Sequence, residues 1–280
     1  MKINYTIATE GQTIDELFRD VWRLGKKQVH ELRMAKAVTD ATGELLQWKA
    51  NLSKGTVIQI EVAAPKSSYI PTALTNVEVR YEDDHCLIVS KPKGMATHPN
   101  EPSDRDTCMN EVLGYIQSKG GEYAEHVHRL DQGTKGLLLV AKHPIAKSVF
   151  DRMIEEKTIV RTYEAVVQGR VRQPQGTINA PIARDRHHNT RRIVAERGGQ
   201  HAVTHYKVVG YENGETTVHV VLETGRTHQI RVHMAHIGHP IVGDTLYNAR
   251  TTASGNYDLH AIQLDFAHPF LNKNIVVVDK

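Results

Sequence analysis

Four segments in the second half of the chain alternate apolar and polar residues, and this period of two is typical of strands with one buried face. They are IVRTYEAVVQG (159–169), AVTHYKVVGYE (202–212), TTVHVVLET (216–224) and LHAIQLDF (259–266). Helical patterns are fewer; the clearest are DTCMNEVLGYIQSK (106–119) and PIAKSVFDRMIEE (144–156). Because the strands cluster instead of alternating with helices, the sequence predicts an α+β fold. We expect a large mixed sheet rather than a doubly wound parallel one, although the pattern does not assign the strand partners.

The N-terminal segment has a different pattern and predicts a small α+β domain. TIDELFRDV (13–21) has apolar residues at helical spacing behind a capping-box start, and a second helix is predicted for residues 26–34. VTDATGE (38–44) is typical of a turn, and GTVIQIEVA (55–63) alternates as a strand. The Pro- and Ser-containing stretch APKSSYIPTALTN (64–76) predicts a linker. The predicted division is therefore a small domain at 1–63, the linker and a large domain at 77–280.

The charge of the chain is informative only where it is concentrated. Thirty-five Lys and Arg residues against 32 Asp and Glu give a formal net charge of +3, which does not by itself require a nucleic-acid partner. KKQVHELRMAK (26–36) and RDRHHNTRR (184–192) are basic enough to contact phosphates. A solvated basic surface explains either stretch equally well.

Apolar runs and cysteines indicate a cytoplasmic protein that does not enter a membrane. The longest apolar runs, such as GLLLVA (136–141) and NIVVV (274–278), are too short to cross a bilayer, and the N-terminus lacks the apolar core of a secretion signal. Cys86 and Cys108 lie in unrelated contexts and suggest no disulfide framework.

A lone aspartate, Asp131, lies in the polar turn HRLDQGTKG (128–136) immediately before an apolar run. A neighbouring arginine favours the ionised form of a carboxylate, and an ionised carboxylate at the rim of a sheet is a competent nucleophile or base. Gly133 and Gly136 would allow the backbone to bend and a flat ligand to approach closely. Taken alone, however, most Arg–Asp pairs in turns are structural.

The segment LETGRTHQIRVHMAHIGHPIVGD (222–244) predicts an anion site at the start of a short helix. Thr227 is its predicted N-cap, and Ile230, Met234 and Ile237 mark its buried face. Arginines beside a helix N-terminus bind phosphate or carboxylate, and this first turn carries arginines at positions 226 and 231.

The histidines of the same segment raise the alternative of a metal site. His233, His236 and His239 follow one another at steps of three, whereas helical ligand pairs favour steps of four, and no HExxH pattern is present. Buried or hydrogen-bonded histidines therefore explain the pattern better, and we expect no metal. Tyr163 lies mid-strand, where core packing is the usual role, although a tyrosine facing a pocket can stack on a base.

Four ordered blocks of the sequence resemble the signatures of RluA-type pseudouridine synthases. The block HRLDQGTKGLLLVAK (128–142) resembles the motif HRLDxxTSGLLLxAK. The other blocks are YEDDHCLIVSKPKGMATHP (81–99), RTYEAVVQG (161–169) and TGRTHQIRVHMAHIGHPIVGD (224–244). The N-terminal unit loosely resembles the RNA-binding module named after ribosomal protein S4, although a small α+β cap without RNA contact remains an alternative. The resemblance implies the pseudouridine synthase fold, with a large mixed, mostly antiparallel sheet flanked by helices, and an RNA partner.

The resemblance also implies roles for individual residues. Asp131 corresponds to the catalytic aspartate, and Tyr163 corresponds to the tyrosine that stacks on the target uracil and assists proton transfer. Arg231 corresponds to the arginine that pairs with the aspartate, with Arg226 as the second candidate. Arg129 corresponds to an arginine that enters the RNA stack as the base leaves. The expected substrate-binding residues are therefore Arg129, Arg226, His128, Thr134 and Lys135, the last of which replaces the serine usual in the family.

The implied reaction is the isomerisation of uridine to pseudouridine in structured RNA, either large-subunit ribosomal RNA or tRNA. It adds no atom and involves no redox step, so no cofactor is expected, and we expect a monomer. Because the target base lies in a stack, it must first be extruded. The competing hypothesis is a catalytically silent RNA-binding or ribosome-assembly protein with the same fold. A metal-dependent hydrolase built on the histidines is the third possibility.

Overall fold

The N-terminal residues form a three-stranded antiparallel sheet covered by two helices. The computed structural model describes residues 1–63, 65–252 and 255–280, so Ala64, the first residue of the predicted linker, lies outside the described residues. The strands are β1 (Lys2–Thr6), β2 (Val38–Asp40) and β3 (Val57–Glu61), in the order β1-β3-β2. The helices are α1 (Ile14–Glu16), which continues as a π-helical turn over Leu17–Val21, and α2 (Lys26–Met34).

The capping box at the start of α1 is confirmed, and the predicted turn after α2 is partly wrong. The Glu16 backbone N–H donates to Oγ1 of Thr13 at 3.2 Å, and the Thr13 N–H donates to Oε2 of Glu16 at 2.9 Å. Val38–Asp40, expected as part of a turn, pairs instead with the middle of β3. Val38 is buried in the shared core, so burial of its side chain favours an extended backbone here.

The predicted large mixed sheet is confirmed, and it contains ten strands. In chain order, the remaining strands are β4 (Glu78–Glu82), β5 (Cys86–Lys91), β6 (Glu125–His126), β7 (Lys135–Ala141), β8 (Val160–Gln168), β9 (Gln175–Asn179), β10 (Ile182–Arg184), β11 (Arg192–Val194), β12 (Val203–Glu212), β13 (Glu215–Leu222), β14 (Leu259–Ala267) and β15 (Asn274–Val278). The sheet order is β4-β5-β7-β14-β8-β13-β12-β9, with β15 paired to β14 and β6 to β7, while β10 and β11 form a separate hairpin.

Among the strand pairs of the described residues, β7 and β14 alone run parallel. Helices α3 (Cys108–Ser118), α4 (Pro144–Glu155) and α5 (Gln229–His236) connect the strands, and Thr245–Tyr247 forms a 3₁₀ turn. The turn carrying Asp131 precedes β7, and Tyr163 lies on β8, which β14 separates from β7. The central strands therefore bring the blocks 128–142 and 161–169 close together, with only β14 between them.

The predicted linker lies against helix α3. The backbone N–H groups of Thr75, Asn76 and Val77 all donate to Oε2 of Glu111, at 2.9, 2.9 and 3.1 Å. Gly114 permits this contact, because a Cβ at that position would lie 1.8 Å from the carbonyl oxygen of Thr72. The segment between the two predicted domains is thus fixed to the large sheet's layer of helices.

The hydrophobic core continues from the N-terminal sheet into the larger part of the molecule. Trp22, only 1% exposed, lies with its ring centroid 5.0 Å from that of Tyr5 and 5.0 Å from that of Phe270, which follows β14. Arg152 on α4 donates to the carbonyl oxygen of Trp22. Within the described ranges, none of the helices combines the length and apolar composition needed to cross a bilayer.

We expect the substitution Trp22→Ala to lower the free energy of unfolding by about 3–5 kcal/mol, because it removes a large buried ring from this shared core. Urea denaturation followed by circular dichroism measures the change. Met34→Ala is the control, since Met34 is 69% exposed and its loss should leave the unfolding free energy nearly unchanged. Equal losses in the two variants would contradict a core that passes through Trp22.

Candidate active site

The turn that carries Asp131 is fixed by hydrogen bonds to the loop after β5. Oγ1 of Thr97 donates to the Leu130 carbonyl at 2.8 Å and accepts from the Leu130 N–H at 3.0 Å. The Gly94 N–H donates to the Gln132 carbonyl at 2.9 Å. Within the turn, the Thr134 N–H donates to the Asp131 carbonyl at 3.0 Å. The backbone on both sides of Asp131 therefore has little freedom to move.

Lys91 also binds the backbone of this turn. Its ammonium is fully buried and donates to the carbonyl oxygens of Pro92, Met95 and Gln132, at 2.9, 2.7 and 3.3 Å. Burial lowers the pKa of Lys91 to about 8. The residue types alone do not reveal this role of Lys91, because the three carbonyl acceptors come together only in the folded loop.

The glycines of the turn make room for protein atoms, which corrects the expectation that they admit a flat ligand. A Cβ on Gly133 would lie 2.6 Å from the ring of Tyr257, and a Cβ on Gly136 would lie 2.3 Å from the carbonyl oxygen of Ala261 on β14. Gly136 also has φ +109°, which L side chains rarely adopt. The glycines thus allow the Tyr257 ring and β14 to approach the turn.

Arg231 on α5 pairs with Asp131, as predicted, but its stronger partner is Asp244. Its Nε and Nη2 donate to the two oxygens of Asp244 at 2.7 and 2.9 Å, while Nη1 donates to Oδ2 of Asp131 at 3.4 Å. The Asp244 side chain is 1% exposed and the Asp131 side chain 19%. Burial lowers the pKa of Arg231, yet the hydrogen bonds that Arg231 donates to Asp244 outweigh this effect and raise the pKa above its ordinary value.

Two tyrosines cover the faces of the Arg231 guanidinium. Its central carbon lies 4.3 Å from the ring centroid of Tyr257 and 5.1 Å from that of Tyr247. Burial raises the pKa of Tyr247 to about 12, so its hydroxyl is protonated at neutral pH. Tyr257 also reaches the Asp131 turn, with its hydroxyl 3.3 Å from Oγ1 of Thr134. Ring contacts and a bidentate carboxylate together fix the guanidinium in one orientation.

Tyr163 lies on the wall of the same cavity. It is 5% exposed, on β8 between Val220 of β13 and Ala261 of β14. Burial raises the pKa of its phenol, with a smaller opposing effect of Arg161. The cavity measures about 580 Å³ and is lined by Asp131, Tyr163 and Arg231 together. A second cavity of about 450 Å³ meets the first at Asp131 and Arg231. The three predicted catalytic residues therefore share one concave site.

The predicted substrate-binding residues differ in position. Arg129 and Arg226 are exposed, and both line the first cavity. Thr134 is buried there beside Asp131. His128 is also buried: its Nε2 accepts from the Leu139 N–H at 3.2 Å, and burial lowers its pKa to about 3. Lys135 begins β7 with an exposed side chain and is not among the residues that line either cavity.

Helix α5 begins one residue later than predicted. Its N-cap is His228, not Thr227, and His228 has the left-handed backbone conformation φ 59°, ψ 18°. The buried face of the helix is confirmed, with Ile230 and Met234 both in the core. Thr227 instead lines both cavities. Thr227 is typical of N-caps by residue type, but the local backbone geometry assigns this position to His228.

Two of the three histidines that raised the metal alternative, His233 and His239, make hydrogen bonds to separate partners. Nδ1 of His233 lies 2.8 Å from Oγ1 of Thr204 and its Nε2 lies 2.9 Å from the Ala180 carbonyl, while Nδ1 of His239 lies 2.9 Å from the Gln168 carbonyl. These separate partners support the interpretation of hydrogen-bonded histidines over that of a shared metal site.

A group of possible metal ligands lies elsewhere in the described residues: Asp83, Cys86 and His268, with ligand atoms within 4.8 Å of one another. Nδ1 of His268 accepts from the N–H groups of Phe270 and Leu271, at 3.2 Å each. Its proton is therefore on Nε2, which lies 3.1 Å from Asp83. That hydrogen bond uses the nitrogen that a metal would need.

The family model described as RNA pseudouridylate synthase matches residues 85–236, more than half of the chain. The chain belongs to the RNA pseudouridine synthase family. A second model, the RluD ribosomal pseudouridine synthase N-terminal domain, matches residues 1–58 and confirms the S4-like module. The pseudouridine synthase assignment makes the protein an isomerase, and nothing in the comparisons supports a catalytically silent protein.

Relatives in this family cover most of the chain. The uncharacterized RNA pseudouridine synthase YhcT of Bacillus subtilis is 42% identical over 228 residues, 80% of this chain and 75% of the relative. Ribosomal large subunit pseudouridine synthase D of Haemophilus influenzae is 34% identical over 275 residues, 92% and 83% of the two chains. The human RNA pseudouridylate synthase domain containing 1 has the same fold, with a TM-score of 0.59, 24% identity and coverage of 75% and 85%.

Asp244→Ala is expected to lower the free energy of unfolding of this pseudouridine synthase by about 3–5 kcal/mol, since it leaves a buried guanidinium without its bidentate partner. Chemical denaturation monitored by fluorescence measures the loss. Asp258→Ala is the matched control: it removes a pair with Lys93 in which Asp258 is 48% exposed, worth about 0–1 kcal/mol. A smaller loss for Asp244→Ala than for the control would show that Asp244 does not anchor Arg231.

Proposed function

We propose that this enzyme is an RluA-type pseudouridine synthase that modifies uridine in large-subunit ribosomal RNA. Two features support ribosomal RNA over tRNA. The N-terminal match is to a domain named for ribosomal pseudouridine synthases, and relatives named ribosomal large subunit pseudouridine synthase D align over up to 92% of this chain. We also propose that the chain divides into an RNA-binding module at 1–63, a linker at 64–76 and a catalytic domain at 77–280.

The observation that carries the proposal is the fixed Asp131–Arg231–Asp244 arrangement at a cavity lined by Tyr163. Asp131 is the proposed catalytic carboxylate, and Arg231 is the cation that pairs with it. Among the described residues, Arg231 and His228 approach the Asp131 carboxylate, and both do so at Oδ2. Oδ1 is therefore the oxygen that we assign to the extruded nucleotide.

The cavity has the size and lining for an extruded uridine. Its volume of about 580 Å³ lies within the range of small-ligand sites. Tyr163 offers a ring for base stacking, and the turn opposite it carries Asp131. In the proposed reaction the bond between uracil N1 and ribose C1′ breaks, the uracil turns, and its carbon five bonds to C1′. Carbon five then loses its proton, and N1 carries a proton in the product, so the reaction balances as an isomerisation. Extruding the base costs a few kcal/mol, which RNA contacts along the rim must offset.

Arg129 and Arg226 are the proposed RNA contacts at the rim, with His128 and Thr134 supporting the turn from within. Arg129 lines both cavities, which suits the proposed role of entering the space that the base leaves. Lys135 adds an exposed positive charge after the turn, at the position where the family has serine. We propose further that the enzyme acts as a monomer in the cytoplasm, without a cofactor.

Asp131→Asn is predicted to abolish pseudouridine formation and to leave RNA affinity nearly unchanged, because the amide keeps the shape of the side chain and loses its charge. Nucleoside mass spectrometry of unmodified large-subunit ribosomal RNA transcripts measures the product, and filter binding measures affinity. Asp84→Asn, an exposed change, is the control. A normal rate for Asp131→Asn would remove the assignment, and an inactive wild type that still binds RNA would favour the silent-protein hypothesis.

Arg226→Ala is predicted to weaken RNA binding and to reduce the slope of log affinity against log salt by about 0.7–1, the loss of one phosphate contact. Affinity measured across a salt series gives this slope. Arg170→Ala is the control, because Arg170 is also exposed but lies beyond the far end of β8, over the ring of Tyr211. An identical slope in Arg226→Ala and wild type would exclude a phosphate contact at position 226.

A further inference from the structure

His228 has a backbone conformation and a side-chain direction that helix capping does not explain. An N-cap residue usually has an extended backbone and a side chain that accepts from the first turn of its helix. His228 has φ 59° and makes no such cap, although L side chains rarely adopt this conformation. Strain of this kind persists where the surrounding structure requires the side chain in one place.

The His228 ring lies between Tyr247 and Asp131. Its Nδ1 lies 2.9 Å from the Tyr247 hydroxyl, and its Nε2 lies 3.9 Å from Oδ2 of Asp131. The side chain is 14% exposed and lines both cavities. His228 is thus the second positively chargeable side chain, after Arg231, to approach the carboxylate proposed for catalysis.

A hydrogen-bond chain connects this ring to the basic hairpin β10–β11. The backbone N–H of Arg192, on β11, donates to the Tyr247 hydroxyl oxygen at 3.0 Å. The hydroxyl hydrogen is then available to Nδ1 of His228, and when it is donated there, the ring proton of a neutral His228 lies on Nε2, the nitrogen nearest Asp131. Arg192 ends the stretch RDRHHNTRR that the sequence marks as a candidate phosphate contact. The hairpin and the aspartate are therefore joined through two side chains.

We propose that His228 is a positioning residue that holds the Asp131 carboxylate in its reactive orientation and ties that orientation, through Tyr247, to the seating of RNA on the β10–β11 hairpin. This inference rests on the proposed function of Asp131. In this role His228 Nε2, 3.9 Å from Oδ2, and Arg231 Nη1, 3.4 Å from it, attract Oδ2 electrostatically and leave Oδ1 to the substrate. RNA that moves the hairpin backbone at Arg192 also moves the Tyr247 hydroxyl and hence the ring.

The proposal has a pH signature because the neutral ring accepts a hydrogen bond at Nδ1. Burial lowers the pKa of His228 against the opposing effect of Asp131, and Arg231 and Arg192 lower it further while Asp244 raises it. Tyr247→Phe removes the donor that stabilises the neutral ring, so the pKa of His228 should rise. The acid limb of the rate profile should then move to higher pH in Tyr247→Phe.

The decisive variant is His228→Gly, because glycine adopts the left-handed conformation without strain and serves as an N-cap at little cost. We expect this variant to fold, to bind large-subunit ribosomal RNA transcripts as the wild type does, and to lose about 100-fold in single-turnover rate, the size of effect caused by a misplaced catalytic group. His228→Gln, whose amide can donate toward Asp131, should regain part of the loss. Asn213→Gly is the matched control, since Asn213 also has a positive φ of 52° and lies in the β12–β13 turn.

Combining His228→Gly with Tyr247→Phe tests the chain itself. Members of one chain give non-additive effects, so the double variant should be no slower than His228→Gly alone. Losses that multiply, an unshifted acid limb in Tyr247→Phe, or a wild-type rate in His228→Gly would each overturn the proposal.

Wild type and Asp131→Asn are measured in the same assay, so that failure of this proposal can be told from failure of the proposed function. A wild type that makes no pseudouridine contradicts the proposed function. An active wild type with an equally active His228→Gly contradicts only the role of His228.

Discussion

The buried guanidinium of Arg231, shared between Asp244 and Asp131, is the interaction on which the site depends. A buried charge is costly unless paired, and the two hydrogen bonds that Arg231 donates to the Asp244 carboxylate supply that pairing independently of Asp131. The longer contact of 3.4 Å to Asp131 can therefore change during a reaction without leaving the arginine unpaired. Asp244 is therefore the carboxylate that holds Arg231 in place, and Asp131 is the one that we propose for chemistry.

The fold supplies the rigid frame that such a division needs. β7 and β8 lie on either side of β14, which fixes the turn before β7 relative to Tyr163. Lys91 and Thr97 bind the backbone of that turn, and Gly136 lets β14 pack against it. Positions held by strands and by backbone hydrogen bonds vary less than positions on free loops, and catalytic geometry requires that precision.

Local patterns in the sequence predicted much of this structure because their causes are local. The period-two alternation of β8 and the capping box of α1 follow from a few neighbouring residues. Val38–Asp40 was missed as a strand because it is extended only when β3 lies beside it. The N-cap at position 228 was missed for a related reason, since its left-handed backbone reflects contacts with distant side chains rather than residue type.

The site shows the same limit. The sequence motifs identified Asp131, Tyr163 and Arg231, and the structure brings all three to one cavity. Asp244 and Tyr247 follow α5 in a segment rich in glycine and proline, where a turn explains them adequately. Only folded coordinates show that Asp244 holds the guanidinium and that Tyr247 contacts His228. An acidic residue and a tyrosine shortly after an arginine-bearing helix are the sequence signal that would have marked them as candidates.

The most direct test of the account is a crystal structure of the Asp131→Asn variant bound to a substrate RNA that contains the unreacted uridine. The account predicts an extruded uridine in the 580 Å³ cavity, its base on the ring of Tyr163, its sugar beside residue 131, and Arg231 still held by both oxygens of Asp244. A uridine bound elsewhere, or an Arg231 released from Asp244 to contact a phosphate, would contradict it.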